Sequence, residues 1–324
     1  MKNLLNKIHI IFLICVLTIL FSGCSTGSTA ADKSRPATTE ANDKKPAVAV
    51  SIVPQATFVK AVAGDLVDVV TMIPPGNSPT NYAPSPRELT QLSEASLYFS
   101  IGVPTEKANI LPKLADFNKN LKVVDLARHV AEVYPERYFD SAEEQDEPAD
   151  DHHREQVEDH HHSGRDPHIW LSPKRVQVMV QVIADRLSEI DPGNKDTYQK
   201  NAQSYQELLS QVDRKIKTVL SGVTNKTFLV YHPVFGYFAD DYGLKMVAIE
   251  KHGKEATIEH MQEVIDLAKQ KNIKVIFYQA EIDSKQAQTI AEEIGGKTLQ
   301  VAPLAPNYID NLEKIAELFS NVLN

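Results

Sequence analysis

From Val48 onward, strand-like and helix-like segments alternate, and they do so in two successive runs. In the first run, VAVSIV, VDVVTMI, LYFSIG and KVVDLA read as strands, and helical patterns separate them at ATFVKAVAG, SPRELTQLSEA and EKANILPKLADF. The second run repeats the scheme with strands TFLVYHP, KMVAIE, KVIFYQA and KTLQVAPL, and its last helix is NYIDNLEKIAELFSNVL. Such alternation implies a parallel sheet with helices on both faces. Both runs open alike, on a strand followed by proline (Pro54, Pro233), a short aromatic helix and a glycine (Gly64, Gly243). The expected fold class is therefore α/β, with two similar lobes, residues 47–171 and 223–324.

Between the lobes the pattern is helical throughout. Ser172-Pro173 is a cap followed by proline at the first helical position. Val176, Met179, Ile183, Leu187 and Ile190 then recur at helical spacing. A second run places Tyr198, Ala202, Tyr205, Leu208, Val212, Ile216 and Val219 on one stripe. From Asn194 to Leu220 this helix would span roughly 40 Å, long enough to cross both lobes as a stiff strut within a linking segment, 172–222. A rigid connection of that kind restricts hinge closure.

The start of the chain sets the compartment. Lys2 and Lys7 precede an apolar run from Ile8 to Phe21, which is short for a membrane span and fits the core of a secretory signal. It ends in LFSGC, which resembles the cleavage and acylation box of bacterial lipoproteins, with residues 1–23 removed and Cys24 carrying lipid. The chain's other cysteine, Cys15, lies inside the discarded run, so the mature protein offers no disulfide, thiolate metal site or cysteine nucleophile. Residues 24–46 have no apolar periodicity and read as a flexible tether. The net charge of -9 argues against nucleic acid as a partner.

Ligands of open α/β sheets bind beyond the carboxyl ends of the strands, so two facing lobes should enclose a cleft there. Four loops qualify: PPGNSPTNYAPSP, DPHIW, YHPVFGYF and YQAEIDS. Two of them carry a single histidine beside proline, His168 and His232, where restrained backbone can hold an imidazole ready. A second group, His152, His153, His160, His161 and His162, is interleaved with Asp and Glu in a segment without apolar periodicity, about 143–164. It reads as a disordered insert in the first lobe that collects metal weakly, because every ligand recruited there costs ordering entropy.

Taken in order, Pro74-Pro75-Gly76 with Tyr82, Pro84 and Pro86, the His/acid insert, Asp166-Pro167-His168-Ile169-Trp170-Leu171-Ser172-Pro173, Tyr231-His232-Pro233 with Phe235-Gly236-Tyr237-Phe238, and Gly253-Lys254-Glu255 resemble the zinc and manganese receptor family of bacterial ABC importers. The resemblance covers the chain from about Val48 onward. It implies a lipid-anchored extracytoplasmic receptor, monomeric and not an enzyme, that captures a divalent transition metal between two lobes and passes it to a membrane permease driven by an ATPase. Within that pattern His168 and His232 occupy metal-ligand positions. Two departures stand out: Thr80 replaces the histidine usual in the first loop, and Ala302 stands where the family commonly has Asp before Pro-Leu.

Zinc in proteins takes three or four N, O or S donors, with water able to fill an open position. Glu281, in the loop after KVIFYQ, is the nearest candidate carboxylate. Gln279, the Tyr82 phenol, water or a histidine of the insert are the alternatives. Imidazole donors favour zinc, nickel, copper and iron over calcium and magnesium. The His-rich insert points to zinc ahead of manganese, as does the resemblance. Two readings from other classes stay open. An extracytoplasmic zinc hydrolase would use the same donors with an activated water, although no His-Glu-x-x-His pair or Gly-x-Ser-x-Gly elbow is present. A surface lipoprotein or adhesin could keep the fold with a degenerate metal site.

Overall fold

The computed structural model describes residues 45–139, 164–250, 254–282 and 285–324. The signal segment, Cys24, the tether up to residue 44 and the five histidines of the insert lie outside the described residues. The first lobe comprises β1 (Ala47–Val50), α1 (Val53–Ala63), β2 (Asp68–Thr71), α2 (Pro86–Ser93), β3 (Leu97–Ser100), α3 (Leu114–Phe117), β4 (Lys122–Asp125) and α4 (Leu126–Ala131). Two linking helices follow, α5 (Pro173–Ile190) and α6 (Lys195–Ser221). The second lobe holds β5 (Thr227–Val230), α7 (Gly236–Tyr242), β6 (Lys245–Ala248), α8 (Ile258–Gln270), β7 (Val275–Gln279), α9 (Lys285–Glu293), β8 (Lys297–Val301) and α10 (Tyr308–Leu323).

Each lobe contains a four-stranded parallel sheet, and the two sheets share one topology: β2-β1-β3-β4 and β6-β5-β7-β8. The likeness of the two halves in sequence is thus a likeness of fold. Gly64 and Gly243, which end the first helix of each lobe, both have positive φ, +56° and +66°, a region that side chains with a Cβ rarely enter.

The period of two along each strand sorts side chains between cores. Val48, Val50, Leu97 and Phe99 of the first sheet, and Phe228, Val230, Val275 and Phe277 of the second, enter one continuous core with α1, α5, α6 and α10. The alternate residues Ala49 and Tyr98 face a separate core with Met72, Leu92 and Ile110. Leu229 and Ile276 do the same in the second lobe, packing with Val264, Ala268, Ala287 and Ile290. A single core shared by both sheets is what joins the lobes.

The strut is the 27-residue α6. It packs on α1 of the first lobe, on α7 and α10 of the second, and along α5. Its buried stripe is Tyr198, Ala202, Tyr205, Leu209, Val212, Ile216 and Leu220. This corrects the expected stripe at two places, because Leu208 is 47% exposed and Val219 is only partly buried. Steps of three and four residues hold the stripe on one face, and Leu208, three after Tyr205, falls on its outer edge where Leu209 fills the core.

A second correction concerns EKANILPKLADF. One helix was expected; instead a π turn (Glu106–Ile110), a 3-10 turn (Leu111–Lys113) and the short α3 follow one another. Pro112 has no N–H to give to the preceding turn, so the α-helical ladder is interrupted there, although Leu111 itself keeps helical backbone at φ -56° and ψ -42°. At the other end of β4, the Leu-Ala read as strand opens α4, which Asp125 caps by accepting from the Arg128 N–H.

Candidate metal centre

His168 sits between the first lobe and α5. Asp166 builds its position: Oδ1 accepts from the His168 backbone N–H at 2.9 Å and lies 2.7 Å from Nδ1 of the same ring. Asp166 is fully buried, and its Oδ2 pairs with the Arg137 guanidinium at 3.2 Å. A short 3-10 turn, Ile169–Leu171, then leads into α5, capped by Ser172. The turn is fixed across the seam, since Trp170 Nε1 donates to the Pro303 carbonyl at 3.0 Å and Tyr308 donates to the Trp170 carbonyl at 2.6 Å.

His232 follows β5. Its Nδ1 lies 2.8 Å from Oε2 of Glu250, a buried residue just beyond β6. The loop runs into α7, where Asp241 accepts from Ser172 at 2.5 Å and from Arg175 at 2.9 Å, joining the histidine-bearing segments of the two lobes.

With both Nδ1 atoms held on carboxylates, both Nε2 atoms are left to face each other, 3.4 Å apart. The rings cross at 81°, with centroids 5.2 Å apart. Two nitrogens each about 2.05 Å from a tetrahedral zinc stand about 3.3 Å apart, so one ion fits both imidazoles with almost no movement. A carboxylate on the far nitrogen fixes the tautomer and raises the basicity of the ligating nitrogen. Burial lowers the pKa of His168, opposed by the Asp166 charge and hydrogen bond. The outcome is a neutral ring at neutral pH, the form that binds metal.

The pair opens into a cavity of about 530 Å³ between the lobes. All four expected loops reach it, through Thr80, His168, His232 and Gln279. Two further segments also line it: Gly102 to Ala108 after β3, and Phe139 with Gly164 and Arg165, which flank the His-rich insert. Tyr138 and Arg165 bridge the ends of that insert.

The structure brings His168 and His232 together but does not bring Glu281 to them. Glu281 lines a smaller neighbouring cavity of about 150 Å³ with Pro74, Asn77 and Ala302. Among the described residues, no group of three His, Cys, Asp or Glu surrounds a common metal position. The Tyr82 hydroxyl is also committed elsewhere, donating to Glu88 at 2.9 Å in the capping box of α2. The residues that sequence reasoning missed are Asp166 and Glu250. An acid two residues before a histidine was a visible cue for Asp166; Glu250 needs the pairing of β5 with β6 to reveal it.

A family model described as "Zinc-uptake complex component A periplasmic" matches residues 48–322. The chain is similar to the high-affinity zinc uptake system protein ZnuA of Bacillus subtilis, 29% identical over 89% of this chain and 86% of the relative. It is also similar to the zinc-binding lipoprotein AdcA of Streptococcus pneumoniae, 31% identical over 84% of this chain but only 54% of the relative, so it spans about half the length of that protein. Among solved structures, a ZnuA deletion mutant with zinc bound superposes with a TM-score of 0.74 at 31% identity, covering 87% of this chain and 99% of the other. With its two like sheets, its long bracing helix and a match across both lobes, this chain belongs to the ZnuA family of zinc-uptake components.

Proposed function

We propose that this protein is the extracytoplasmic solute-binding receptor of an ABC importer, and that its cargo is a zinc ion held by Nε2 of His168 and Nε2 of His232. The observation that carries this reading is the 3.4 Å separation of those atoms, each on a ring whose other nitrogen is already engaged by a carboxylate. Imidazole donors select zinc over calcium or magnesium. Membership in an uptake family favours a receptor over a hydrolase.

The remaining features follow from the sequence. LFSGC supports a lipid anchor on Cys24 that keeps the receptor at the outer face of the membrane, beside its permease and ATPase. The histidines of the insert serve as a low-affinity collector; in support, the insert's described flanks, Phe139 and Gly164, line the cavity.

Isothermal titration with zinc tests the reading. We expect one tight site in the full chain and in a form lacking residues 143–164, and its loss in His168→Ala and in His232→Ala. Unchanged tight binding in either point variant would sink the assignment.

A further inference from the structure

Resting on the metal reading just given, we propose that the cavity takes its metal already wrapped in a small carboxylate-bearing chelator, rather than as a bare ion. Three observations point this way. First, the protein offers two nitrogen donors, and among the described residues no third His, Cys, Asp or Glu joins them. A four-coordinate zinc has two further positions to fill, and donors that arrive with the ion would fill them.

Second, the space is far larger than an ion needs. About 530 Å³ is the size of a small-molecule pocket, and much of its wall is apolar: Val103, Phe139, Trp170, Val234, Ile282 and Leu304. An aqua ion would leave that wall wet, whereas the carbon skeleton of a chelator would cover it.

Third, polar groups suited to carboxylate oxygens stand on the wall. Gln279 lines the cavity, is 6% exposed, and its buried Nε2 has no hydrogen-bond partner among the described residues. A buried donor left in this way costs free energy until a ligand supplies an acceptor. The exposed Lys107 lines the same cavity and adds positive charge. The chelator would occupy part of the metal's coordination sphere, with its carboxylates toward Gln279 and Lys107, and leave two adjacent positions to the imidazoles. The metal keeps its chelator throughout, so no bond within the chelator is made or broken.

The 1:1 complex of zinc with nitrilotriacetate is a suitable probe, because its four donors leave two positions on a six-coordinate metal. Trp170, the chain's one tryptophan, lines the cavity with its ring centroid 5.1 Å from that of His168, so its fluorescence reports occupancy. The full chain is titrated with zinc alone, with nitrilotriacetate alone and with the complex, and the loaded protein is weighed by native mass spectrometry. The expected result is a ternary species that retains nitrilotriacetate, with the complex binding at least about tenfold tighter than zinc alone. In Lys107→Glu and in Gln279→Leu that ratio should shrink several-fold, while zinc alone still binds. Zinc bound without nitrilotriacetate, at equal or higher affinity, would overturn the proposal and leave the metal reading standing. No response to either zinc or the complex would overturn both.

Discussion

Arg137 Nε lies 3.2 Å from Oδ2 of Asp166, behind the carboxylate whose other oxygen holds both the backbone and the ring of His168. Nη1 of the same guanidinium reaches Asp240 of α7 at 3.3 Å. The orientation of one imidazole is therefore set by a line of charge that crosses the seam. Removing a carboxylate behind a ligating histidine typically costs about 10- to 100-fold in metal affinity. Asp166→Asn should lose zinc affinity in that range, and Arg137→Gln should lose less, because Asp166 keeps its grip on the His168 backbone. Titration calorimetry on the two variants checks the order; equal affinities in both and in the parent would show that the ring needs no such support.

Glu250→Gln tests the other ring. The amide would still hold His232 but could present the wrong partner to Nδ1, so we expect a loss of about tenfold with the fold intact. Comparing zinc affinity with thermal midpoint separates the two effects, since a structural defect would move both together.

Glu281→Gln should leave zinc affinity within about twofold, because Glu281 lines the neighbouring cavity and, among the described residues, forms no metal-holding group with the imidazole pair. A tenfold loss would mean that the loop after β7 swings inward on loading, and would return Glu281 to the ligand set.

Glu106 offers a pH prediction away from the metal. Its buried carboxylate accepts from the backbone N–H groups of Ile101 and Gly102 and from Ser51. Burial outweighs these bonds and lifts its pKa to about 7. A carboxyl group whose pKa is raised on folding contributes stability that is full below its ordinary value near 4.5 and is lost as pH rises through about 7. The parent should therefore lose stability relative to Glu106→Gln between pH 5 and pH 8, by an amount on the order of 3 kcal/mol. Urea midpoints of both proteins at the two pH values measure it; parallel changes would refute it.

Leu209→Ala on α6 should cost about 2–5 kcal/mol, whereas Leu208→Ala should fall within about 0.5 kcal/mol. The contrast follows from a fully buried Leu209 beside a Leu208 that is 47% exposed. Denaturant unfolding of the two variants would show the reverse order if the stripe ran through Leu208.

The architecture was legible because its signals are periodic. Strand alternation, the repeated proline and glycine punctuation and the long amphipathic helix all survive in the structure, and the one-residue shifts at two places on the α6 stripe left the helix itself intact. Pro112 was in plain view but was read through, and there the expected helix broke into turns. At the site, His168 and His232 stood out because each sits beside a proline, a local feature. Asp166 and Glu250 act through contacts made only in the fold, and Glu250 reaches His232 from 18 residues away along the chain. Glu281 stands in the loop at a strand's carboxyl end, which marks the cleft side; that it lines the smaller cavity with Pro74 and Asn77 depends on how the loop after β7 packs.

The core shared by α6 and both sheets makes the two lobes a single mechanical part. Sliding one lobe against the other would have to break into that core, so the seam where the two rings meet is held by packing and not by a hinge. The distance between the two imidazoles is therefore a property of the packed interior, set before any ion arrives.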